Sequence, residues 1–168
     1  MKKTKINEAI KNQLFSAEKD QVLAAIKELK SSGNKEYLPI LFELMLAGAE
    51  VEIELEIQKL LGTVKDKETI PVFISALNEE RFKSIRKKIA TACWQNGLDF
   101  SADIEVFTNL IITENWETAF EAFTVIDNME HFPSNEVMKP IKLKVAAALK
   151  VADEQRAYLL EELLKLSS

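Results

Sequence analysis

A nine-residue phrase occurs twice in this chain. Asn34-Lys35-Glu36-Tyr37-Leu38-Pro39-Ile40-Leu41-Phe42 is followed 32 residues later by Asp66-Lys67-Glu68-Thr69-Ile70-Pro71-Val72-Phe73-Ile74. A short polar cap, a Lys-Glu pair, an apolar residue, a proline and an apolar run coincide position by position. A further shift of 34 residues lays Ile70, Val72, Phe73 and Leu77 on Ile104, Val106, Phe107 and Ile111. A second segment keeps the same offsets: Ile53, Ile57 and Leu60 map to Ile85, Ile89 and Ala92, then to Ala119, Phe123 and Ile126. Two amphipathic segments share one period, so the repeating unit is a helix pair. One pair of about 34 residues cannot bury its apolar face alone, whereas a stack of pairs builds a continuous core. An ordinary helical bundle with accidental similarity is the competing explanation. It does not account for prolines and caps that recur together with the apolar pattern.

Composition agrees with helix. The 168 residues include only 4 glycines and 4 prolines, with 29% charged and 8% aromatic residues. An average chain carries about 12% glycine plus proline, so the turn residues of a β-sandwich or barrel are missing. Gly33, Gly48, Gly62 and Gly97 each follow an amphipathic segment and read as helix stops in the left-handed conformation. Ser16, Asn34, Asp66, Ser101, Ser134 and Asp153 read as N-caps. Between these marks the sequence predicts ten helices, at 5–14, 18–31, 35–47, 50–61, 67–78, 81–96, 101–112, 115–129, 135–149 and 153–166. They make five pairs in a single domain over 1–168. Pro39 and Pro71 are expected in equivalent first turns, and Pro140, well inside the ninth helix, is expected to disturb it.

Several function classes find no support. Cys93 is the only cysteine, so no intrachain disulfide can form. The start, Met1 to Ile6, is basic but is not followed by the apolar stretch of a signal peptide. The most apolar run, Tyr37 to Ala49, is 13 residues long and interrupted by Glu43; a bilayer-spanning helix needs about 20. A soluble, cytoplasmic protein is expected. His131 is the sole histidine and has no ligand-type companion at metal spacing, so it reads as a surface residue. Cys93 falls on the core side of its helix. No phosphate-binding glycine loop, nucleophile elbow or His-Glu-x-x-His occurs. The expectation is therefore no catalytic residue, no metal and no cofactor.

The stretch Asp66 to Gly97 resembles a HEAT repeat. It has a proline early in its first helix and Ile85-Arg86-Lys87-Lys88-Ile89-Ala90-Thr91-Ala92 in its second. Arg86 fills the family's arginine position, while Asn78 stands near the expected aspartate. Glu54 and Phe120 replace the arginine in the units before and after. The similarity is best over 66–97 and extends over 34–129. The resemblance implies an all-α, right-handed α-solenoid of about five antiparallel helix pairs, in the armadillo-like class. It also implies that the second helices, called B helices, line a concave binding surface.

Charge alternates among these B helices. Glu50, Glu52, Glu54 and Glu56 make one acidic; Arg81, Lys83, Arg86, Lys87 and Lys88 make the next basic; Glu114, Glu117 and Glu121 make the third acidic. The repeat offset pairs Lys83 with Glu117 and Lys87 with Glu121, within reach of helices packed 8–10 Å apart. One reading is inter-repeat registry, each exposed pair contributing about 0–1 kcal/mol. The other is a docking site. At 100° per residue Phe82, Ile85, Ile89, Ala92 and Cys93 share one face of their helix, and Lys83, Lys87, Thr91 and Trp94 the other. Lys83, Lys87, Thr91, Trp94, Glu117 and Glu121 are thus the candidate partner-binding residues, with Trp94 as an interface anchor. Trp116 aligns with Phe82 and is expected in the core.

The leading expectation is a non-catalytic module that holds a protein or peptide partner on its B-helix surface. Two rivals follow from the resemblance. HEAT-like DNA glycosylases act on alkylated bases from a basic groove with tryptophans, and Trp94 with the run Arg81 to Lys88 is faintly similar. A net charge of −5 and flanking acidic helices oppose the phosphate contacts that nucleic acid requires. HEAT-like repeats also occur in bilin lyases and their chaperones, but no residue here points to a chromophore. No membrane partner is expected.

Overall fold

The computed structural model describes residues 6–167, among which only helices, turns and irregular connections occur. The basic residues of the start and the predicted onset of the first helix at residue 5 lie outside them. Ten α-helices are present among the described residues: α1 Glu8–Leu14, α2 Lys19–Ser32, α3 Leu38–Leu46, α4 Val51–Leu61, α5 Ile70–Asn78, α6 Arg86–Gln95, α7 Ile104–Thr113, α8 Trp116–Asp127, α9 Asn135–Leu149 and α10 Glu154–Leu166. Each coincides with a predicted segment. The differences lie in how the helices begin. Short 3₁₀ turns at Lys35–Tyr37, Lys67–Thr69, Glu80–Ile85 and Ser101–Asp103 precede α3, α5, α6 and α7.

Three of those starts share one construction. Asn34, Asp66 and Asp99 each accept the backbone N–H two residues on, at 2.9 Å in every case. This side-chain turn closes the chain into a 3₁₀ turn, and the α-helix follows. Pro39 and Pro71 then occupy matching positions in the first turns of α3 and α5, where a missing N–H costs nothing. Of the predicted caps, Asn34, Asp66, Ser134 and Asp153 accept backbone N–H groups as expected. Ser101 does not, because Asp99 takes that role two residues earlier. Ser16 closes a turn onto the Glu18 N–H just ahead of α2 without capping the helix itself. Asn7 and Asn115 cap α1 and α8.

Two of the glycine assignments need correction. Gly48 and Gly97 have φ of 80° and 69°, as left-handed stops should. Gly33 and Gly62 have ordinary negative φ. At Gly62 a Cβ would stand 2.7 Å from the flexible side-chain oxygen of Gln95, which could swing aside where α4 ends against α6.

Neighbour relations follow chain order along two rows. Each odd helix packs on its following even helix; α2, α4, α6, α8 and α10 touch in sequence, and so do α3, α5, α7 and α9. The apolar faces meet between the rows. Phe42, Phe73, Phe100 and Phe107, none more than 1% exposed, form a chain of ring contacts with centroids 5.6–6.1 Å apart. Tilted and edge-on pairs of this kind add about 0.5–1.5 kcal/mol each beyond the area they bury. Phe82 joins that chain at 6.1 Å from Phe42, turned inward by the 3₁₀ segment ahead of α6. The expected core face of α6 holds: Phe82, Ile85, Ile89, Ala92 and Cys93 are all buried.

Trp116 is not in the core. Asn115 caps α8 directly through the Thr118 N–H at 3.0 Å, with no 3₁₀ lead to swing the first residue inward. Trp116 therefore sits at the first helical position, 37% exposed, and rests on Phe120. Helix α9 runs unbroken through Pro140.

Candidate docking face on the even-numbered helices

The outward face of the even row is laced by charge. Lys19 and Lys30 of α2 reach Glu52 and Glu56 of α4 at 2.9 and 3.4 Å. Lys88 of α6 reaches back to Glu54 of α4. Lys87 of α6 reaches forward to Glu117 of α8 at 3.1 Å, and the Trp94 indole N–H donates to the Glu121 carboxylate at 2.6 Å. Basic, acidic, basic and acidic helices alternate from α2 to α8, so each junction joins opposite signs.

Five of the six sequence-predicted residues meet at the α6–α8 junction. Trp94 is half-buried, and the Thr91 hydroxyl donates to the carbonyl of Lys87 at 2.8 Å. Lys83 stands apart, in the 3₁₀ lead, with its ammonium 3.9 Å from Glu80. The predicted pairing is off by one turn: Lys87 meets Glu117 rather than Glu121. The cause is the lead itself. Six residues before α6 are spent in a 3₁₀ turn that α8 lacks, so the two helices align about one turn out of the sequence period.

Little of the apparent +5 cluster is free charge. Arg81 is bound to Glu43 and Glu79, with its guanidinium 4.4 Å over the Phe82 ring. Arg86 is buried. It donates to the Leu77 carbonyl at 3.0 Å, to Glu114 at 2.6 Å, and at 3.4 Å to both the Glu79 carbonyl and Glu80. Glu114, also buried, thus does not contribute to an acidic surface. Arg156 of α10 donates to the carbonyls of Glu114, at 2.8 Å, and Ile111, closing the end of α7. Sequence reasoning missed this buried junction. One signal was available: Glu80 and Glu114 stand one repeat period apart, and Arg86 touches both.

The other edge of α8 is also absent from the predicted site. Trp116 and Phe120 stand four residues apart on one helical stripe, beside the parallel Glu117–Glu121 stripe. Phe120 is 45% exposed, and the two rings lie 5.7 Å apart. Trp116 faces α10 across a cleft of about 490 Å³ lined by Glu154, Gln155, Ala157, Tyr158 and Glu161.

His131 and Cys93 line one groove together with Asp99. Burial alone raises the Cys93 thiol well above its ordinary value of 9.0, which disfavours the thiolate. His131 is exposed at the rim of that groove. Among the described residues no group of three His, Cys, Asp or Glu side chains is placed to hold a metal, and no helix is long and apolar enough to cross a membrane. No protein-family model matches the chain, and neither does any curated protein or solved structure compared with it.

Proposed function

We infer that this chain is a non-catalytic interaction module, built as a short HEAT-like α-solenoid of five helix pairs, that holds a protein or peptide on its even-helix surface. The observation that carries this reading is a band of aromatic side chains across three consecutive even helices. Half-buried Trp94 on α6, Trp116 and Phe120 on α8, and Tyr158 on α10 all reach the surface. Tryptophan and tyrosine dominate the energetic centres of protein interfaces. The neighbour order within the two rows supports the solenoid arrangement, because each pair touches the next in chain order. The right-handed superhelix and the concave placement of the even row belong to the same reading, by resemblance.

A nucleic-acid-binding reading has less beneath it. Arg81, Lys87 and Lys88 are each bound to a carboxylate and Arg86 is buried, so few cations are left to release counterions from phosphates.

The test is affinity capture from lysate of the source cells, comparing the native chain with a Lys87→Glu/Trp94→Ala variant shown by its helicity to be folded at the capture temperature. A partner held by the native chain and lost by the variant supports the reading and locates the face. Equal capture by both moves the site off the α6–α8 junction.

A further inference from the structure

We propose that the cleft between α8 and α10 is a receptor for a lysine- or arginine-bearing peptide segment, its cationic side chain held between aromatic rings and carboxylates. This deepens the interaction-module reading and rests on it. On α10, Glu154, Tyr158 and Glu161 are spaced at i, i+4 and i+7, so one helical stripe offers acid, ring and acid in turn. Trp116 faces that stripe from α8, and Phe120 extends the aromatic floor along α8. Tyr158 is 58% exposed and Trp116 37% exposed, more than packing requires of such large rings.

The charge around the cleft is one-sided. Its lining holds two carboxylates and no cation. Glu117, beside Trp116, is matched by Lys87, and Lys165, one turn beyond Glu161, is bound to Glu162 at 2.8 Å. Lys165 also lies in the field of Glu161, so one ammonium serves two carboxylates, and the cleft lining keeps an excess of negative charge. Elsewhere along the even row, an acidic helix is always met by a basic one. Here α10 brings two carboxylates to the cleft, and α8 brings an aromatic ring and no cation. A cation over an aromatic face gains about 0.5–2 kcal/mol from the ring quadrupole. A guanidinium can stack on a ring and donate to a carboxylate at the same time. An anionic or purely apolar occupant would bring no counter-charge to Glu154, and none beyond the shared Lys165 to Glu161.

The test uses fluorescence anisotropy with a labelled peptide of alternating arginine and glycine, and its glutamate–glycine counterpart as a control. The expected result is saturable binding of the arginine peptide only. Trp116→Ala/Tyr158→Ala, which changes no charge, and Glu154→Gln/Glu161→Gln should each weaken binding by about tenfold or more. Glu18→Gln/Glu36→Gln removes the same charge from the far end of the chain and should leave affinity unchanged. All variants are first matched to the native helicity and melting point. Absence of binding, equal loss in the remote double variant, or no loss in either cleft variant overturns the proposal. So does a dimer in sedimentation that the cleft variants abolish, since a second copy would then be the occupant. If the cleft fails while capture still depends on Lys87 and Trp94, only the cleft proposal falls. If capture fails too, the module reading falls with it.

Discussion

Helix α8 has two unlike edges. Toward α6 it presents Glu117 and Glu121, both engaged, by the Lys87 ammonium and the Trp94 indole. Toward α10 it presents Trp116, which meets Tyr158, Glu154 and Glu161 across an open cleft. Each edge has one tryptophan, yet one is tied and half-buried while the other is loose. The difference shows what closes a junction between helix pairs: opposite charge in register, more than aromatic mass. Where one helix brings carboxylates and the other no cation, the rings stay available.

The comparison breaks most visibly at the buried end of the closed junction. Glu114→Ala leaves the buried Arg86 guanidinium with only the exposed Glu80 carboxylate, at 3.4 Å, and should cost about 3 kcal/mol in urea unfolding. Arg86→Met/Glu114→Leu should cost less than the single change, because no charge is stranded. A double variant as unstable as the single one would show that the carbonyl contacts of Arg86 matter more than its ion pair.

Next comes the contrast between the tryptophans. Trp94→Ala removes a packed ring and unpairs Glu121, so it should lower stability by about 2 kcal/mol. Trp116→Ala should change it by less than about 1 kcal/mol. Equal losses would erase the distinction between the two edges. Cys93, next to Trp94 in sequence and buried in the core, reports opening of the same junction. Its reaction with a thiol reagent should be slow in the native chain. It should speed up by about tenfold in Trp94→Ala, in line with a lower opening free energy, and stay unchanged in Trp116→Ala.

The Cys93 thiol also gives the junction a pH dependence. Its folded value is raised, so above pH 9.0 the unfolded chain loses this proton while the folded chain keeps it. Stability should therefore fall with rising pH there, by at most about 1.4 kcal/mol per unit, and Cys93→Ala should flatten that slope. The smallest effect belongs to the exposed pair. Lys87→Ala should cost less than about 1 kcal/mol in dilute buffer and nothing measurable in molar salt.

The fold was more legible in the sequence than the site. Prolines, polar caps and apolar spacing are local signals, and they located every helix; Pro39 and Pro71 fell in matching first turns. The partners of Lys87 and Trp94 depend instead on how far one helix slides along the next. That slide was set by whether a 3₁₀ lead precedes the helix, which the apolar pattern does not encode. The same omission put Trp116 in the wrong place, since alignment with Phe82 assumed a lead that α8 does not have. Gly62 illustrates a different limit. It ends α4 as its residue type suggests, but with an ordinary negative φ beside Gln95 of α6, so the left-handed conformation inferred from glycine is not used.

Glu114 has a consequence for how the chain comes apart. Its carboxylate is held by Arg86 from the third pair and its carbonyl by Arg156 from the fifth, while it belongs to the fourth. In a stack joined only by nearest neighbours, pairs can fray from either end one at a time. Glu114 brings two such junctions into one residue, so opening of the fifth pair removes the Arg156 donors from the residue that neutralises Arg86. Opening there should therefore raise amide exchange in α7 and α8 as well. The first pair is held by the Asn7 N–H on the Tyr37 hydroxyl, in the 3₁₀ lead of α3, and by the exposed Lys19–Glu52 and Lys30–Glu56 pairs, and it should exchange ahead of them.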